Sequence, residues 1–406
     1  MRTSLLHRGA YLCSALLLLS SAAICAMGQD VGADVGGGAG IFRAKNPEAR
    51  KRPRPAPRRG TRTPAPAPAA AVEDRAEEML GKGNEFRDAR RFAEAEAAYS
   101  GILKIKPRDG RAAYGLGNIY FDQQRWDEAE KNYRDAVMWS PSNVDGLVAL
   151  SVVLVQPRAG AGNAKRFADA EGFARRAVAL DPKNAVAWDR LGVALQARGV
   201  WNTETEQAYR RAVELDPQFA VAYAHLARTL NKMGRRADAD PLYAQAESLA
   251  KDPATLNLIA ESLQAEQQWG NSEPVLKRAL EMDQRNPTAL LLMGRMLSVF
   301  KRYSEAEPYL KQATEVSPRA FEPHHLLGSA YLAMERYQES EITMERALGF
   351  ASAGDRKQLA GTYGMEGVGD GYLKAGNKTS AARAYRRALE LDPGNQRLEQ
   401  KLSKVR

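Results

Sequence analysis

Cysteine is nearly missing from this 406-residue chain, and the two that occur, Cys13 and Cys25, lie close to its start. The rest of the chain has no thiol, which excludes a disulfide framework, a cysteine zinc site and thiol catalysis there. Histidine is also scarce, with four residues. His324 and His325 are adjacent, and neighbours on a helix diverge by about 100°, so they do not chelate one ion together. A packing role suits His324 better, His225 stands alone, and His7 belongs to the N-terminal segment. No GxSxG, HExxH or Walker pattern occurs, which leaves the common nucleophile, zinc-hydrolase and phosphate-loop chemistries without a sequence basis. No metal, cofactor or catalytic residue is expected, and the protein is read as a non-enzyme. Aromatic residues supply only 7% of the chain, while alanine is abundant, a composition suited to helices that approach closely.

A charge excess is missing from the body as well. The formal net charge is +10, but residues 1–72 hold 11 Lys/Arg against 3 Asp/Glu, and residues 73–406 hold 48 against 46. The basicity therefore belongs to the N-terminal tail, and no specific nucleic-acid partner is expected. Arg2 and Arg8 precede an uncharged apolar run that closes in small residues, the build of a secretory signal peptide over residues 1–26, with cleavage after Ala26. An uncleaved anchor is the alternative, because about 18 apolar residues nearly cross a bilayer. Ile24 just before Cys25 speaks against a lipoprotein. Residues 27–72 are rich in Pro, Arg, Gly and Ala without apolar periodicity, and read as a disordered basic linker. It serves as a spacer, or its residues 43–62 bind an anionic membrane or wall polymer. The expected localisation is exported: periplasmic or secreted, and membrane-anchored if the signal segment stays.

What the body does have is recurrence. Leu-Asp-Pro returns at Leu180, Leu215 and Leu391. Pro107, Pro141, Pro182, Pro217, Pro318 and Pro393 mark unit ends, with Gln284 in the place of another. Pro107 to Pro141 is 34 residues, and Pro141 to Pro182 is 41, a seven-residue insertion assigned to the Gly-rich stretch 156–167. In the clearest unit, Leu116, Gly117, Tyr120, Ala129, Tyr133 and Ala136 recur at helical spacing before Pro141. Trp188, Leu191, Gly192 and Leu195 repeat its opening. Each unit is predicted to be two short amphipathic helices, the second ended by Pro, which lacks an N–H donor. Thr203 with Glu206, Asp127 with Glu130, and Ser304 with Glu307 have the spacing of capping boxes at the start of second helices. Pro241, Pro274 and Pro308 are placed just inside those helices, at the cost of no more than the first internal bond. The glycines of 361–376 suggest a loose, easily bent final unit.

This pattern resembles the tetratricopeptide repeat, whose 34-residue unit carries W-x2-L-G-x2-Y, then A-x3-F, then P. The resemblance implies an all-α, right-handed α-solenoid of stacked helix-turn-helix units. It covers residues 73–394 as about nine repeats, with 395–406 as a C-terminal capping helix. In this family the free stripe of each first helix lines a concave face that holds a protein or peptide. In register the stripe carries Asn84, Arg87, Tyr114, Asn118, Phe121, Val148, Val152, Asp189, Val193, Arg228, Asn231, Asn257, Glu261, Arg295 and His325, joined by Gln196, Gln264, Ser329, Glu366 and Asp370. The valines suit an apolar or extended segment if they are exposed; the alternative is an ordinary helix face. Lys and Asn are not placed for the carboxylate clamp of some relatives. The expected function is a non-catalytic scaffold or adaptor in the cell envelope. The alternatives are a polymer binder acting through the basic arm and a regulatory subunit of an envelope enzyme complex.

Overall fold

The computed structural model describes residues 68–156 and 162–405, with side chains from Ala71 onward. The expected signal peptide and nearly all of the basic linker, including 43–62, lie outside the described residues. So does the centre of the predicted insertion. Among the described residues the chain is all-α, with no strand, and its helices form two compact units.

In the first unit, helices pair in chain order: α1 (Pro68–Asp88) with α2 (Phe92–Ile105), α3 (Gly110–Asp122) with α4 (Trp126–Trp139), and α5 (Val144–Val155) with α6 (Asn163–Leu180). α7 (Ala185–Ala197) then pairs with α8 (Thr203–Leu215), and α9 (Ala220–Lys232) with α10 (Arg236–Leu249). In the second unit α11 (Pro253–Ala265) pairs with α12 (Trp269–Met282), and α13 (Pro287–Val299) with α14 (Tyr303–Val316). There α15 (Phe321–Ala333) pairs with α16 (Tyr337–Leu348), and α18 (Met365–Lys374) with α19 (Lys378–Leu391). A short helix, α17 (Ala353–Ala360), precedes α18, and α20 (Gln396–Ser403) ends the array against α19. Within each unit consecutive pairs stack, which is the α-solenoid the spacing predicted. Two boundaries differ from expectation. Helix α1 begins at Pro68, inside the segment assigned to linker, because Pro is favourable at the first helical position and alanines follow it. α17 was not foreseen.

Apart from the α5 and α6 pair, the turn inside each pair is built by a left-handed residue. Arg90, Gln124, Gly199, Gly234, Gln267, Lys301, Glu335 and Gly376 have φ between 57° and 79°. The next residue donates its N–H to the carbonyl five positions back, as in Arg125 to Tyr120 and Arg336 to Tyr331, both within 2.9 Å. This six-to-one bond ends the first helix in a Schellman turn. The arginine that follows starts the second helix without a side-chain cap at Arg91, Arg125, Arg302 and Arg336. Asp127 and Ser304 are therefore inside their helices and not caps. Asn202, not Thr203, caps α8, accepting from the backbone N–H of Glu204 and Thr205. The predicted boxes shift because the helices start earlier. For the same reason Pro308 is the sixth residue of α14, with Pro241 and Pro274 at matching positions, deeper than the first-turn placement expected. All three are exposed, so each carbonyl left without its helical donor lies on the solvent side.

Leu-Asp-Pro is the joint between pairs. Asp181 and Asp283 end their helices, and each side chain accepts from the backbone N–H two residues on. Past the turn Asn184, Asn286 and Asn395 cap the next helix, as do Asn143 and Asp109 in other units. Each such cap stabilises its helix by about 1 kcal/mol. Tight packing inside a pair comes from a glycine facing a tyrosine: a β-carbon at Gly117, Gly192 or Gly369 would stand 2.5 Å from the ring of Tyr133, Tyr209 or Tyr385.

Candidate partner-binding face

The proposed inner stripe occupies three positions of the first helices: the residue after the close-packed small residue, the one four before that, and the one three after it. The structure places most of these side chains in contacts with their own neighbours. At the first position, Asn84 and Asn118 accept hydrogen bonds from the hydroxyls of Tyr99 and Tyr133, at 2.7 and 2.8 Å. Asp370 accepts from Tyr385 at 2.7 Å. Arg295 pairs with Glu322, and Ser329 donates to the carbonyl of Tyr363.

At the second position, Tyr114 packs against Tyr133 with ring centroids 5.9 Å apart. Asn257 donates to Asn286 at 2.9 Å. His325 stacks on Phe321 at 5.3 Å, and burial lowers its pKa to about 4, so it is neutral in the folded chain. Glu366 is buried and paired with Lys401 and Arg397 of α20.

Asp189 is wholly buried, with His225 Nδ1 2.8 Å from Oδ1. Burial opposes its charge, but its electrostatic and hydrogen-bond interactions with His225 and the charge of Arg190 prevail and hold the carboxyl below its usual range. Phe121 is buried edge-on against Trp126. Gln196 donates to Thr229, and Gln264 to the carbonyl of Leu292.

Val148, Val152 and Val193 are 4%, 1% and 3% exposed. The apolar floor considered from sequence is therefore not an open surface: α5 is apolar on every side and buried from Gly146 to Val155. Asn118, Phe121, Asp189, Asn257 and His325 are buried too. Of the candidates, Asn84 is exposed, and Arg87, Tyr114, Arg228, Asn231, Glu261 and Arg295 are half-buried. Arg87, 12% exposed, pairs with the neighbouring Asp88 at 2.9 Å. Together with Asn84 and Tyr114 it forms the accessible part of the stripe on α1 and α3. Arg228 lies over the ring of Trp201 at 5.8 Å.

Sequence reasoning missed a charged ladder along the second helices. Glu206 lies between Arg210, one turn on, and Arg235 of the next pair, both at 2.8 Å. Glu307 is held in the same way by Lys311 and Arg336, at 2.7 Å each, and Glu273 by Lys277 and Arg302. Glu130 and Glu171 repeat the arrangement with arginines. The signal was present: Glu130, Glu206 and Glu307 are the residues read as halves of capping boxes. They bind cations across the joint instead of the backbone. Among the described residues no helix is long and apolar enough to cross a membrane.

Comparison with known proteins places the tetratricopeptide repeat on this chain at residues 80–143, 300–355 and 368–395. These segments are tetratricopeptide repeats. No curated protein matches. Among solved structures, a thermophilic tetratricopeptide-repeat protein of Thermus thermophilus is 22% identical, with a TM-score of 0.40, over 47% of this chain and 99% of its own. A MamA structure from strain AMB-1 is 23% identical, with a TM-score of 0.35, over 43% of this chain and 99% of its own.

Proposed function

We propose that this protein is a non-catalytic scaffold that holds another protein through its tetratricopeptide repeats. The observation that carries the reading is the repeat itself: matched segments whose helices stack pair on pair within each compact unit. One pair cannot bury its apolar face alone, so stacking builds an extended, preformed surface, and a preformed surface keeps the ordering cost of binding low. The accessible stripe on α1 and α3, with Asn84, Arg87 and Tyr114, is the part of the candidate face we assign to partner contact. We place the protein in the cell envelope, on the strength of the signal-like residues 1–26, with the basic segment as a tether.

The test is a capture experiment from envelope extract. The baits are the mature chain, a form lacking residues 27–67, and a full-length variant carrying Arg87→Ala with Tyr114→Ala. The scaffold reading expects the first two to retain one common protein and the third to lose it while keeping its helicity. If only the full chain captures a partner, and salt releases it, the basic arm is the binding element and an anionic membrane or wall polymer becomes the better reading.

A further inference from the structure

The tyrosine of the second helix is treated differently in different pairs. In α2, α4 and α19 its hydroxyl donates to the residue that follows the close-packed glycine, namely Asn84, Asn118 or Asp370. In α8 the equivalent Tyr209 is just as buried and its ring lies equally close to Gly192, but the following residue is Val193. A valine accepts nothing, and the Tyr209 hydroxyl has no hydrogen-bond partner among the described residues.

Two more atoms share this condition. Asp189 Oδ2 and Arg190 Nε, in side chains 0% and 2% exposed, also have no hydrogen-bond partner among the described residues. They form an ion pair at 3.5 Å that is not a hydrogen bond. The other oxygen of Asp189 meets His225, so α7, α8 and α9 converge on this cluster. The ring of Tyr209 lies 5.3 Å from that of His225. In the α3 and α4 pair only Asn118 Nδ2 is similarly unpaired.

A buried hydroxyl without a partner is left without the hydrogen bonds it would make to solvent, and an ion pair at 3.5 Å without a hydrogen bond replaces them only in part. Three such atoms at one joint lower the cost of opening it, because opening restores hydrogen bonds to all three. We propose that the meeting of α7, α8 and α9 is the weak joint of the first compact unit, where the array opens locally and brings Asp189 and Val193 of the inner stripe into reach. The opening stands apart from the scaffold reading; only its use by a partner rests on that reading.

Native-state hydrogen exchange of the full chain, followed by mass spectrometry, tests it without any partner. Amides of α7 and α9 are expected to exchange about tenfold faster than those of α3. Tyr209→Phe removes an unpaired hydroxyl and should slow exchange at the joint, whereas Tyr133→Phe removes a paired one and should speed exchange in α3 and α4. Val193→Asn, which supplies the acceptor found at Asn118, should also slow the joint. Protection of α7 and α9 equal to or above that of α3 overturns the proposal. So does a Tyr209→Phe chain that exchanges at the same rate as the parent or faster. Both results leave the capture experiment, and hence the scaffold reading, unaffected.

Discussion

Helices α5 and α18 hold the same place in their pairs and reach it by opposite chemistry. α5 puts Val148 and Val152 on the inner stripe, and every residue from Gly146 to Val155 is buried. α18 puts Glu366 and Asp370 at the matching positions and buries Glu366 to 1% exposure. There Lys401 of α20 lies 2.7 Å from Glu366 and 2.6 Å from Asp370. α5 avoids the desolvation cost of charge by carrying none from Gly146 to Val155. α18 offsets that cost with cations supplied by the terminal helix. The repeat thus dictates spacing and small residues, while the stripe takes whatever polarity its neighbours satisfy.

Exchanging the two solutions should have the largest effect. Val152→Asp gives α5 the carboxylate of α18 with no cation supplied for it, and is expected to destabilise by about 4 kcal/mol. Urea unfolding followed by circular dichroism would measure it, and a loss under about 1 kcal/mol would mean that α5 is not the apolar core of its unit. Next comes the backbone of α18. A β-carbon at Gly367 would run into the carbonyl oxygen of Thr362, and backbone does not yield as a side chain does. Gly367→Ala should therefore cost about 3 kcal/mol. At Gly81 of α1 nothing lies within 4 Å of the added carbon, and the same change there should stabilise by about 0.5 to 1 kcal/mol through lower chain entropy. Two melting curves decide it, since the substitutions are predicted to have opposite signs.

Acid sharpens the comparison from another side. His325 shares the stripe position of Val148 and Glu366, and its folded pKa lies near 4, below its ordinary 6.5. Between those values the unfolded chain binds the proton and the folded chain refuses it, so stability falls as pH drops from about 6.5 to about 4, by on the order of 3 kcal/mol at most. His325→Phe, stacked in the same way on Phe321, should flatten that part of a melting-temperature profile. An unchanged slope would place the proton uptake elsewhere.

Much of this architecture was legible because it depends on local rules. Proline spacing, the Leu-Gly-Tyr pattern and Leu-Asp-Pro are all properties of one unit, and they give the paired helices and their joints. The Asn or Asp two residues past Pro107, Pro141, Pro182 and Pro393, which caps the next helix, was equally legible and was overlooked. Other features are tertiary. No spacing reveals that Asn118 accepts from Tyr133 rather than facing a partner, that Glu206 bridges to Arg235 of the following pair, or that α5 is covered on all sides. The glycines from 361 to 376 read as a loose unit around a close-packed Gly369, yet a β-carbon at Gly364, Gly367 or Gly371 would collide with a neighbour too, so they mark close packing. The candidate positions were legible as register but not as burial, because their contacts lie on the paired helix or on the next pair.

The smallest predicted effect isolates what α20 contributes to α18. A double-mutant cycle on Glu366 and Lys401 measures their coupling apart from the packing of Leu398 and Leu402 in the core they share with α18 and α19. Glu366 is buried, but the side chain of Lys401 is 29% exposed, so water screens the pair and a coupling of about 1 kcal/mol is expected. Glu78 and Lys82 of α1 also form an ion pair, with side chains 64% and 57% exposed, and should couple more weakly, fading in salt. If the two cycles give equal values, burial of Glu366 adds nothing to its ion pair. α20 would then hold α18 by its leucines alone, and the charged inner stripe of the last pair would be as incidental to stability as any solvated helix face.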